Sequence, residues 1–318
     1  MDWFGARIDG PMVTVRAIHF AATAIMAGSL MFRAVVAAPV LGSDNAAAGL
    51  VRTQTLKAGW IGLAVTLASG VIWLLLQTIS MSGLPLGEAM TSDMLATVVN
   101  QTQFGLVCEI RLILALVLAV CLTMDRLALT QWLGLVSALA LTAAIAWTGH
   151  SASTMDETGL LHLGADVLHL IAAAAWIGGL ISLARLLAET RREPALAPFA
   201  RDVIRRFSTL GIAAVATLLL SGAVNSWFLA GSFHALVVTE YGRLLMFKIG
   251  LFAVMVAFAG VNRLWLTPQL VAAAERQPQL ALLDRLRRNS LIEIALGVTI
   301  FAIVGVLGTL HPAIHFFL

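Results

Sequence analysis

His19-Phe20-Ala21-Ala22-Thr23-Ala24-Ile25-Met26-Ala27-Gly28-Ser29-Leu30 and His169-Leu170-Ile171-Ala172-Ala173-Ala174-Ala175-Trp176-Ile177-Gly178-Gly179-Leu180 are two versions of one pattern. Each opens on a histidine, continues in small and apolar residues, and has a charged residue three positions earlier, Arg16 or Asp166. Each also lies within an apolar stretch long enough for the roughly 20 residues that a bilayer-spanning helix needs. The recurrence predicts two membrane helices built to one plan.

Working outward, the rest of the plan recurs in the same order. Ser69-Gly70 matches Ser221-Gly222. Thr102-Gln103-Phe104-Gly105, followed by Arg111, matches Thr239-Glu240-Tyr241-Gly242, followed by Lys248. Gly149-His150 matches Gly308-Thr309-Leu310-His311. Ordered matches of this kind mark an internal duplication. The expected fold is all-α and polytopic, a 4+4 repeat of about eight transmembrane helices divided into residues 1–155 and 156–318. Because each half has an even number of spans, the repeats are parallel and related by an axis along the membrane normal. A site between the halves is the natural expectation.

Composition agrees. Of the 318 residues, 60% are hydrophobic and 12% charged, with a mean hydropathy of +0.93, far from the usage of soluble domains. Apolar runs place helices at roughly 11–40, 57–80, 104–124, 127–149, 160–188, 207–230, 241–264 and 289–310. The loops after odd helices carry the basic residues: Arg52 and Lys57, then Arg126, then Arg191 to Arg206, then Arg276 to Arg288. The positive-inside rule therefore puts both termini outside, which is the periplasm if the membrane is a bacterial inner membrane. The first apolar stretch lacks a basic leader and a small-residue cleavage site, so it is expected to be a retained helix. Cys108 and Cys121 share one helix about 20 Å apart, too far to bridge. The net charge of +3 follows topology, and no nucleic-acid patch stands out. No P-loop, HExxH, CxxC or dinucleotide fingerprint is present in the required context, which argues against ATP-driven transport by this chain alone; no enzymatic activity is expected.

With this orientation all seven histidines fall in the outer half. On the first helix Met12, Arg16, His19, Thr23 and Met26 share a face, and two thioethers with an imidazole suit soft copper. Core packing explains the methionines equally well. On the fifth helix His162, Asp166 and His169 share a face, and a carboxylate inside the membrane marks a functional position by default. Asp166 either ligates a metal, orients His169, or pairs with Arg16 or Arg111. His150, His311, His315 and Met155 are candidate outer capture ligands, against the reading that such residues merely sit at the interface. Arg16, Glu109, Arg111, Glu240, Lys248 and Asn262 are candidates for charge balance or for a route inward.

These residues resemble the bacterial copper resistance protein D (CopD) family. The resemblance runs through Asp166-Val167-Leu168-His169, Trp176-Ile177-Gly178-Gly179-Leu180, Arg206-Phe207-Ser208, Ser221-Gly222, Thr239-Glu240-Tyr241-Gly242 with Lys248, Asn262-Arg263 and Gly308-Thr309-Leu310-His311-Pro312. It implies an inner-membrane protein that moves copper from periplasm to cytoplasm, beside a separate periplasmic carrier of the CopC type. The expected metal set is His19, His150, His162, Asp166 and His169, which suits Cu(I) or Cu(II). Two alternatives stay open: a haem-binding membrane redox or assembly protein with His19 and His169 as axial ligands, and a copper sensor or docking platform through which no metal passes.

Overall fold

A computed structural model of the chain describes residues 2–3, 6–7, 9–42, 45–84, 86–149, 157–272 and 279–316. Among the described residues, eight helices are long and apolar enough to cross a membrane. A two-residue antiparallel pair, β1 (Asp2–Trp3) with β2 (Ala6–Arg7), precedes the first of them. The first half then consists of α1 (Gly10–Met31), α2 (Asn45–Ser82), the short α3 (Leu86–Ala89) and α4 (Ser92–Gln101), α5 (Gln103–Thr123) and α6 (Ala128–Ala143). The second half consists of α7 (Glu157–Arg192), α8 (Ala197–Ala230), the short α9 (Phe233–Val238), α10 (Glu240–Val261), α11 (Thr267–Ala272) and α12 (Gln279–Leu307).

Each expected span is present, with one systematic difference. At the basic side α2, α8 and α12 begin well before their apolar runs, and they carry Arg52, Arg201 and Arg285 on continuing helix. Hydropathy marks where lipid ends, whereas backbone hydrogen bonding continues into water wherever no breaker intervenes. Two of the spanning helices do not keep one geometry to that side. α1 passes through a π-helical segment at Phe32–Ala37, and α10 does the same at Asn262–Leu266 before α11.

The repeated motifs have local structural work. Asp9 caps α1 by accepting from the Met12 amide at 3.2 Å, with Pro11 in the first turn, where its missing N–H costs nothing. Thr102 and Thr239 cap α5 and α10 identically, each accepting at 3.0 Å from the amide of Gly105 or Gly242. A Cβ on either glycine would run into the backbone of the short helix before it, at Val99 or Leu236. The Thr-x-x-Gly repeat is thus a sharp turn from a surface helix into a spanning one.

The halves meet where α1 crosses α7. A Cβ on Gly28 would stand 2.7 Å from the Gly178 Cα, and one on Gly178 would stand 2.6 Å from the Ala24 carbonyl oxygen. Small residues at the crossing let the backbones touch, which is how membrane helices associate without a hydrophobic drive. Ser182 on α7 donates to Ser29 on α1 at 3.1 Å beside it. Backbone contact here leaves no room for a ligand between α1 and α7 at the crossing, and the side chains above it turn into their own halves.

Candidate metal centre

His19 is 2% exposed and turned into the first half. Its Nδ1 lies 2.9 Å from the Ser69 hydroxyl on α2, and its Nε2 meets the Arg111 guanidinium on α5. Gly70 leaves space for the ring: a Cβ there would stand 3.4 Å from its Cε1. Trp73 packs edge-on at 5.3 Å, and Phe104 continues the aromatic wall from Trp73 at 5.6 Å. Arg16 lies over the Trp73 ring at 4.9 Å and over Phe20 at 5.5 Å, a cation–π arrangement. Gly308 makes room for this guanidinium, since a Cβ there would stand 2.7 Å from the Arg16 Cζ. Among the described ion pairs none joins Arg16 or Arg111 to a carboxylate. Met12 and Met26 are core residues, 5% and 0% exposed.

His169 repeats this seat in the second half. Its Nδ1 lies 3.0 Å from the Ser221 hydroxyl on α8, and a Cβ on Gly222 would stand 3.4 Å from its Cε1. Lys248 on α10 occupies the place of Arg111 and acts electrostatically on both His169 and Asp166. The surroundings then depart from the first half position by position. Extending the alignments already given, Met12 is replaced by His162, Arg16 by Asp166, Trp73 by Asn225 and Phe104 by Tyr241. The Asn225 amide nitrogen donates to Asp166 at 3.3 Å, and Tyr241 lies within the electrostatic reach of the same carboxylate. His162 is 3% exposed and stacks on Phe228, one helical turn beyond Asn225, with ring centres 4.9 Å apart. Two polar atoms in this group are buried without a hydrogen-bond partner: His162 Nδ1 and Asn225 Oδ1. An aromatic, cationic assembly in one half is thus a polar, acidic one in the other.

Family models for "Copper resistance protein D-like, N-terminal domain" and "Copper resistance protein D" match residues 7–163 and 201–307. Copper resistance protein D of Pseudomonas syringae pv. tomato is 30% identical over 256 residues, covering 77% of this chain and 82% of its own length. The chain belongs to the copper resistance protein D family. Inner membrane protein YebZ of Escherichia coli is similar along almost the whole length, 28% identical over 307 residues, 94% of this chain and 98% of its own. Copper transport protein CutJ of Bacillus subtilis is 38% identical over 120 residues, 37% of this chain and 21% of that longer protein. No solved structure matches the chain. As a CopD family member it is a copper-related, multi-pass inner-membrane protein.

The remaining candidates are dispersed in this CopD family chain. His150 and Met155 lie outside the described residues, as does the side chain of His315. His311 is exposed after α12, which ends at Leu307, so His311 and His315 do not share a continuous helix. Glu109 is exposed on α5, pointing away from the buried Arg111. Glu240 is half-buried in the first turn of α10. Asn262 lies far below, hydrogen-bonded to Glu293 at 2.8 Å. Among the described residues no three His, Cys, Asp or Glu side chains converge on one point. Sequence reasoning had no signal for Trp73 as the wall of the first seat, because an apolar residue in an apolar helix is indistinguishable from lipid-facing filler.

Proposed function

We propose that this chain is a copper permease that accepts the ion from the periplasmic side through its second half. The observation that carries the reading is the pair of buried, unpartnered atoms, His162 Nδ1 and Asn225 Oδ1, grouped with the Asp166 carboxylate on α7 and α8. Leaving such atoms unpaired costs about 1–3 kcal/mol each, and a bound cation removes that cost. Imidazole, carboxylate and amide oxygen form a set suited to Cu(II), and no thioether stands among them. Lys248 balances Asp166 while the site is empty, and His169, held by Ser221, is the next imidazole inward. His19 has a different role, because both of its ring nitrogens are engaged: it holds Arg111 in the wall of the first half. The same engagement leaves His19 unsuited to serve as an axial haem ligand. A periplasmic carrier of the CopC type is the expected source of the ion.

Copper binding by the purified chain tests this reading. Asp166→Asn is expected to lose stoichiometric Cu(II) binding, with affinity at least tenfold weaker, while His19→Gln keeps it. Full-affinity binding by Asp166→Asn would sink the site.

A further inference from the structure

The second half contains a cavity of about 320 Å³, between α7, α8, α10 and α12, on the basic-side half of the membrane. The first half shows why it exists. There Asp125 pairs with Arg33 at 2.5 Å and with Arg52 at 2.9 Å, tying α1 and α2 to the end of α5. In the second half the same positions hold Asn262, Leu183 and Ile204, and all three line the cavity. With the charged tie gone, α8 and α10 stand apart where their counterparts α2 and α5 pack together, and the gap faces the bilayer past the exposed Ile212 and Leu219.

Leucine, isoleucine, phenylalanine, valine, alanine and tryptophan make most of the wall, and no Met, His or Cys side chain lines it, so it offers a copper ion no soft ligand. One end is polar. Glu293 is 1% exposed and accepts from the Asn262 amide at 2.8 Å; the Trp176 indole also hydrogen-bonds it. Asn289 donates to Asn262 at 2.7 Å, and Ser290 adds a hydroxyl to the lining. No described ion pair includes Glu293. The π-helical segment at Asn262–Leu266 is what delivers Asn262 to this end, and such segments recur at functional sites.

We infer that this cavity binds a neutral, lipid-soluble ring compound bearing hydrogen-bonding oxygens, the chemistry of a membrane quinone, entering sideways between α8 and α10. Three features narrow the ligand to that class. An apolar chamber of a few hundred Å³ with a few convergent polar groups is the usual form of a small-molecule site. Glu293 stands about one turn, ~6 Å, inside the basic-side end of the apolar run 289–310. A charged head would have to be desolvated beside this buried carboxyl, a cost that a neutral ring avoids. The inference uses none of the residues assigned to copper.

The test is equilibrium binding of decylubiquinone to the full chain in nanodiscs, corrected with empty nanodiscs. Saturable binding of one molecule per chain is expected. Gly211→Phe and Gly260→Leu project into the chamber from opposite walls, where an added Cβ meets nothing within 4 Å. Each is expected to weaken binding at least tenfold, and Glu293→Gln severalfold, with copper binding through Asp166 unchanged. Two glycine variants guard against the failure of one to fold. No saturable excess over empty nanodiscs, or binding unchanged in both filled variants, overturns the inference. So does native mass spectrometry that finds a phospholipid retained by the wild type and lost from Gly211→Phe, which assigns the chamber to an acyl chain.

Discussion

The two halves share a scaffold and differ in what they place on it. Both seat a histidine on a Ser-Gly pair of the following helix, and both approach it with a cation from the third spanning helix. Around His19 the seat is closed: Trp73, Phe104 and the stacked Arg16 shut it in, and the Arg33–Asp125–Arg52 tie fixes the opposite end. Around His169 the same positions are polar, and the tie is replaced by a chamber. In the first half the matched positions do the structural work of burial and bracing. Among the described residues each half keeps two buried polar atoms without a hydrogen-bond partner. In the first they are the donors Arg16 Nε and Trp73 Nε1, whereas in the second His162 Nδ1 and Asn225 Oδ1 can offer lone pairs to a cation.

The comparison can be broken most severely at the axis. Gly178→Leu drives a side chain into the α1 backbone, and it is expected to abolish recovery of folded protein by detergent gel filtration. Gly164→Leu on the same helix, where a Cβ meets nothing within 4 Å, is expected to be recovered normally. Next in size, Asp125→Asn leaves Arg33 and Arg52 without their carboxylate. It is expected to cost about 2 kcal/mol, seen as a lowered Tm, mostly from the largely buried Arg33, since Arg52 is 41% exposed and can turn to water. Its counterpart Asn262→Asp adds a second carboxylate beside Glu293 and is expected to destabilise the second half alone. The smallest effects concern the seats. Ser69→Ala and Ser221→Ala each remove the hydroxyl's hydrogen bond with the histidine, worth about 1 kcal/mol, along with its donation to the Val65 or Thr217 carbonyl of its own helix. Only Ser221→Ala is expected to alter copper affinity, by a few fold, since only His169 adjoins the proposed site.

Much of this was written in the sequence in a form that physics makes readable. Lipid demands long apolar runs, so the spans were visible, and the repeat showed through the few residues that are neither large nor apolar: Gly28 and Gly178, Ser69 and Ser221, Thr102 and Thr239. The face shared by His162, Asp166 and His169 followed from helical spacing alone. What stayed hidden depends on pairs distant in the chain. Nothing local says that Asp125 answers Arg33 and Arg52, or that Leu183 and Ile204 stand where those arginines would be. The expectation of one site shared by His19 and His169 took equal depth for proximity. The touching backbones at Gly28 and Gly178 send each histidine into its own half instead. The Thr-x-x-Gly motif likewise belongs to helix capping, a role that the order of motifs does not reveal.

The central claim is that the second half carries the ion and the first half braces it. Radiocopper uptake into proteoliposomes of the full chain addresses it directly, with Asp166→Asn compared with His19→Gln. The account predicts uptake by the wild type, at least tenfold loss in Asp166→Asn, and near-normal uptake in His19→Gln once corrected for the amount of folded protein. Absence of uptake by the wild type, or equal loss in the two variants, would contradict it.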